Sequence, residues 1–134
     1  MDSANEHKAR QPRSYTFSKE ERLCSKRLIT LLFTKGSSFN LYPLRFIVYH
    51  SPDSLPGPTQ VVISVSKRYY KHATDRNRLK RQIREAYRLN KHIFAAQPEQ
   101  APLLLGVLYI GKEKKSFQSI EKKLISGLER CLIK

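Results

Sequence analysis

Residues 67–92 carry ten Lys or Arg (67, 68, 71, 76, 78, 80, 81, 84, 88 and 91) against two acids, Asp75 and Glu85. That is a net of +8 in a chain whose total is +15. At about 100° per residue, Leu79, Ile83, Ala86 and Tyr87 gather on one side of a helix. Asn77, Arg81, Arg84 and Arg88 fall at i, i+4, i+7 and i+11 on the other, flanked by Lys80 and Lys91. A helix of this kind can dock one face on a sheet and present the other as a cationic stripe. Solvated helix faces usually interleave acids with bases to gain pairing one turn apart. Here only Glu85 offers that relief, to Arg81 or Arg88. So much unneutralised charge repels itself and implies a polyanionic partner. Arg outnumbers Lys on the stripe, and its planar fork suits phosphates and stacking on bases.

The same residues argue against catalysis by the chain itself. A protein metallonuclease needs clustered carboxylates to hold metal ions, yet the eleven acids are spread and form no D-x-D or E-x-x-H grouping. No Ser-His-Asp pattern stands out, and the four histidines (His7, His50, His72, His92) are scattered. Cys24 and Cys131 lie near opposite ends with no C-x-x-C spacing, so they read as ordinary thiols of a reducing compartment. No catalytic residue and no metal ligand is assigned.

The elements that must position the stripe can be read next. With 134 residues, 40% of them apolar, the chain suits one domain with one modest core. Residues 1–15 are polar and aperiodic and read as a disordered basic arm, leaving 16–134 as a single domain. Ser18 followed by Glu21 suits a capping box, and a helix is expected over 26–34, stopped by Gly36. Residues 44–50 and 61–66 read as strands, the second with Val61, Ile63 and Val65 on one face and Ser64 and Ser66 on the other. Residues 51–59, with three prolines, form a loop. The stripe helix spans 75 to about 92, a break covers 97–102, and 103–110 forms a further strand. Phe117, Ile120, Leu124, Leu128 and Cys131 mark one side of a last helix. The longest apolar stretch, 103–110, is too short to cross a bilayer, and the polar N-terminus has no signal-peptide core. A soluble, cytoplasmic protein with no membrane partner is expected, and no homo-oligomer is required.

Three segments carry a resemblance. The run R-N-R-L-K-R-Q-I-R-E (76–85), the upstream S-V-S-K-R (64–68) and R-L-C-S-K-R-L-I-T-L-L-F-T-K-G (22–36) resemble the bacterial ribonuclease P protein family in sequence and in order. The resemblance implies an α/β two-layer sandwich ordered α-β-β-β-α-β-α, with a mixed sheet and a left-handed βαβ crossover. Most crossovers are right-handed, so the hand comes from the resemblance alone. The missing strand is expected near 37–42.

By the same resemblance the protein is one subunit of an RNA-based endoribonuclease that removes the 5′ leader of precursor tRNA. Its partners would be the catalytic RNA subunit and that leader. Mg²⁺ is expected at the RNA active site and none on the protein, which alone would be inactive. Arg76, Asn77, Arg78, Lys80, Arg81 and Arg84 match the motif and are expected to face RNA, with Lys67 and Arg68 as the basic pair ending the preceding strand. Arg88 extends the stripe by geometry. Phe33 and Tyr49 match aromatics of a leader cleft, which Ile29, Ser64 and Ser66 would also line. Stacking on aromatics with cations along the backbone binds single strands with little sequence preference.

The chain departs from the family in three places. Ile29 stands where an aromatic is common, and 69–74 replaces a link that commonly contains Gly. Asp75 sits beside the motif, where an N-cap role would explain it. Tyr69 and Tyr70 either stack on RNA or pack under the loop, and Phe33 and Tyr49 also have plain core roles open to them. The competing classes are a structural RNA-binding protein, a duplex-DNA binder and an independent nuclease. The DNA reading lacks the helix-turn-helix or dimer pattern it would need.

Overall fold

The computed structural model describes residues 17–50, 59–95 and 103–132. The arm at 1–15, the body of the proline-rich loop and the whole 97–102 break lie outside the described residues. The capping box forms: the Ser18 amide donates to Glu21 Oε1 at 2.8 Å and starts a single 3₁₀ turn, Lys19–Glu21. Leu23 then donates to the Val61 carbonyl at 2.9 Å. Helix α1, Lys26–Lys35, is capped by Ser25 and ends where the Gly36 amide donates to the Leu32 carbonyl. Gly36 is needed for space: a Cβ there would lie 2.5 Å from that carbonyl oxygen and 2.9 Å from Ile47 Cγ2.

Strands β1, Ser37–Leu41, and β2, Leu44–Tyr49, form a hairpin around a cis Tyr42–Pro43 bond. Next come β3, Gln60–Val65, and the stripe helix α2, Ala73–Asn90, followed by a short α3, His92–Ala95. Strand β4, Leu104–Tyr109, and helix α4, Phe117–Cys131, complete the order. Apart from the 3₁₀ turn and the short α3, the described elements run α-β-β-β-α-β-α. The sheet runs β1-β2-β4-β3, with β2 antiparallel and β3 parallel to β4, so it is mixed. The parallel pair is joined through α2.

Helices α2 and α4 cover one sheet face. Leu79, Ile83, Ala86 and Tyr87 of α2, all buried, meet Phe46, Val61, Val65 and Val107, along with Ile120, Leu124 and Leu128 of α4. The apolar side expected for each helix is therefore the buried one. Helix α1 lies on part of the opposite face, where Leu32 packs with Ile47 and Leu104 in a smaller cluster. Gly106 of β4 lets it approach, because a Cβ there would meet Leu32 Cδ2 at 3.3 Å.

One expectation is corrected. Asp75 is not the N-cap of α2, which begins at Ala73 with His72 in that position. The backbone is already helical two residues earlier, and the His72 carbonyl accepts from the Asp75 and Arg76 amides. Asp75 instead sits in the first turn, where a carboxylate still favours the helix start, and pairs with Lys114 at 2.8 Å.

Candidate nucleic-acid interface

The i, i+4, i+7 spacing on α2 is carried into space by the burial of its opposite side. With Leu79, Ile83 and Tyr87 locked into the core, Asn77, Arg78, Arg81 and Arg84 can only point outward, and all four are exposed. None of Arg78, Arg81 and Arg84 makes an ion pair among the described residues. Lys67 and Arg68 are exposed in the turn that follows β3, and Lys80 is half-buried beside the ridge.

Three cations of the run do other work. Arg76 is half-buried, and its Nη1 donates to the Tyr70 and Lys71 carbonyls at 2.8 and 2.9 Å. It therefore clamps the loop ahead of α2 through that nitrogen. Arg88 is engaged by Glu85 at 2.6 Å, which decides between the two partners the sequence left open for that carboxylate. Arg88's hydrogen bond holds the Glu85 carboxyl below its usual range. Lys91 is turned from the ridge to Glu21, at 2.5 Å, both side chains being largely buried. Burial alone would raise the Glu21 carboxyl, but Lys91 and the Ser18 amide outweigh it and the result is a lowered value.

The second expected site lies on the sheet face that carries α1. Register places Arg45, Leu108 and Ser64 in one row across β2, β4 and β3, then Ile47, Gly106 and Val62, then Tyr49, Leu104 and Gln60. The middle row takes the α1 contact at Gly106. Ile29 and Tyr49 are half-buried against the small core, and Phe33 remains 45% exposed on the helix flank. Ser64 shares the face but stands in another row from Tyr49. Ser66, past the strand end, accepts from the Arg68 amide at 3.1 Å and so shapes the turn. Arg45 joins this face, half-buried at one end of the outer row; the alternation around Phe46 could have found it. At the β3 edge, Arg84 reaches a groove of about 170 Å³ that it shares with Phe17, Arg22, Leu23 and Cys24.

The loop ahead of α2 divides its two tyrosines. Tyr70 is buried, donates from its hydroxyl to the Gly111 carbonyl at 2.9 Å, and packs edge-on against Tyr109. Burial, with Tyr109 beside it, pushes its phenol up to about 12. Tyr69 is 40% exposed. Packing is thus the role of Tyr70, and only Tyr69 is open to a partner. Burial likewise raises the Cys131 thiol to about 12, while Cys24 is exposed, and both are free. Among the described residues no three of His, Cys, Asp or Glu come together as a metal site. No described helix is long and apolar enough to cross a membrane.

The chain is similar to known proteins in both sequence and fold. A family model described as Ribonuclease P matches residues 17–132. A ribonuclease P protein component from Porphyromonas gingivalis is 32% identical over 121 residues, covering 89% of this chain and 88% of the relative. Another from Chlorobium phaeobacteroides is 38% identical over 113 residues, 77% of each. Among solved structures, the RNase P protein of Staphylococcus aureus superposes with a TM-score of 0.68 at 20% identity, covering 85% of this chain and 97% of that one. The RNase P protein of Thermotoga maritima gives 0.66 at 26% identity, covering 82% and 96%. On sequence and on fold alike, the chain belongs to the ribonuclease P protein family.

Proposed function

We propose that this chain binds the catalytic RNA subunit through the α2 ridge and holds the 5′ leader of precursor tRNA on the α1 face of its sheet. The observation that carries the reading is the ridge itself: Asn77, Arg78, Arg81 and Arg84 stand open to solvent on a helix whose other side is fully packed. Phosphates that replace their counterions contribute affinity without reading sequence. Exposed Phe33 on α1, and half-buried Ile29 and Tyr49 of the small core on the same side of the sheet, offer apolar surface to unpaired bases. An enzyme that meets many leaders needs such tolerance.

The chemistry is assigned to the RNA. The protein contributes positioning and charge neutralisation, which raise the population of the RNA's active arrangement. Mg²⁺ acts at the RNA active site in this reading, and the described residues of the protein offer no carboxylate cluster for it. The complex works in the cytoplasm, where precursor tRNA is made.

Reconstitution tests the proposal. Purified protein alone should leave precursor tRNA intact, and adding it to the RNA subunit at limiting Mg²⁺ should restore cleavage. Affinity for substrate should rise with leader length. Cleavage by the protein alone, or no rescue at low Mg²⁺, would contradict it. Affinity indifferent to the leader would favour a general structural RNA-binding role instead.

A further inference from the structure

At the end of the sheet away from Tyr49, three chain segments converge. Register sets Val65, Tyr109 and Leu44 side by side. The turn after β3, the loop after β4 and the β1–β2 turn therefore meet at one edge. Each carries an exposed aromatic or an exposed cation. Tyr69 is 40% exposed, with Arg68 and Lys112 at 5.9 and 5.8 Å from its ring centre. Tyr42 is 51% exposed, with Lys115 at 6.0 Å from its ring, and its hydroxyl accepts from the Lys112 amide at 3.3 Å. Lys112 thus stands between the two rings.

We propose that Tyr42 and Tyr69, with Arg68 and Lys112, form a second stacking platform that takes an unpaired nucleotide of the catalytic RNA subunit. This rests on the functional reading above and adds a contact to it. Loop packing does not account for the exposure of the two rings: Tyr42 adds one long bond through its hydroxyl, and the loops are held chiefly by Tyr70 and Tyr109. Tyr70 bonds to the Gly111 carbonyl, and Tyr109 bonds the Lys115 amide and the Glu113 carbonyl. Ile110 adds a bond to the Pro43 carbonyl at 2.8 Å.

These bonds hold the loops in place before any partner arrives, so little order is lost on binding. The cations stand near 6 Å from the ring centres, the outer limit of useful cation–π attraction. They lie over the rings, so an incoming base displaces only weak contacts, and the displaced cations offer charge to its phosphate. Exposed aromatics interleaved with cations are what sequence-tolerant binding of unpaired bases requires.

The RNA subunit is the favoured occupant because the platform is continuous with the ridge. Lys114, in the same loop, pairs with Asp75 in the first turn of α2, two residues before Asn77. The leader, by contrast, is assigned to the face where Tyr49 lies at the far end of the strands.

The test is binding of the full chain to the RNA subunit alone, with no precursor tRNA present. Tyr69→Ala and Tyr42→Ala should each weaken it about fivefold or more, the lower end of what one stacked base contributes. Tyr69→Phe should keep wild-type affinity. The chain has no tryptophan, so Tyr69→Trp provides a single reporter whose emission should be quenched when the RNA subunit is added. That readout stands even if an alanine variant folds poorly. Unchanged affinity with an unquenched reporter would overturn the platform. So would a loss seen only with leader-bearing substrate, which would assign the rings to the leader path. Arg81→Ala in the same assay separates the two readings: if it weakens binding while the tyrosine variants do not, only the platform falls; if neither does, the functional reading falls as well.

Discussion

Removing Arg81 or Arg84 should flatten the salt dependence of RNA binding by a calculable amount. Both side chains are exposed and outside any ion pair among the described residues, so each can displace one counterion from a phosphate. Each loss lowers the slope of log affinity against log salt by about 0.7–0.9. Over a fourfold rise in salt, a single alanine variant should therefore lose about threefold less affinity than the parent, and the double variant about tenfold less. Arg88→Ala should change the slope less, because Glu85 at 2.6 Å already neutralises much of that charge. Glu85→Gln should steepen it for the same reason. Equilibrium binding to labelled RNA subunit across a sodium chloride series reads all of these. Melting temperatures should hold, since surface substitutions usually stay within about 0.5 kcal/mol. An unchanged slope in the Arg81 and Arg84 variants would put those side chains off the RNA. Arg88→Ala flattening the slope as much as Arg81→Ala would refute the claim that intramolecular pairing decides which cations count.

Three further outcomes follow from the packing. Gly127→Ala in α4 should destabilise the domain by about 1–3 kcal/mol in denaturant melts: the new Cβ would lie within 2.5 Å of Phe46 Cε1 and Cε2, and Phe46 is fully buried against Phe39. Helix propensity favours Ala by about 1 kcal/mol, so a stabilised variant would mean that Phe46 can move. Arg76→Ala should lower thermal stability through the loop ahead of α2, whose Tyr70 and Lys71 carbonyls it clamps, while flattening the salt slope less than Arg81→Ala; the reverse ranking would return Arg76 to the RNA face. Acid melts should show the Glu21–Lys91 pair: the folded carboxyl lies below its ordinary value, so its stabilisation is complete above the ordinary carboxylate range and is lost as pH falls through the lowered value. Glu21→Gln should therefore be less stable than the parent near neutrality and converge with it in acid; a constant gap would assign the loss to packing.

What could be read along the chain alone was whatever depends on neighbours three or four residues away. Helical periodicity fixed the buried side of α2 at Leu79, Ile83, Ala86 and Tyr87, and by exclusion the open side at Asn77, Arg81 and Arg84. The Ser18–Glu21 box and the Gly36 stop were legible for the same reason, since both are contacts within one turn. Partners far apart in sequence were not legible. Lys91 is taken from the ridge by Glu21, 70 residues away, and Tyr70 is separated from Tyr69 by a hydrogen bond to Gly111, 41 residues away. The meeting of Tyr42, Tyr69 and Lys112 likewise depends on strand register across three segments. A cation's availability is set by whether an acid or a carbonyl reaches it first, and an aromatic's by whether a core cavity admits it. Both are properties of the folded neighbourhood, which local pattern does not encode.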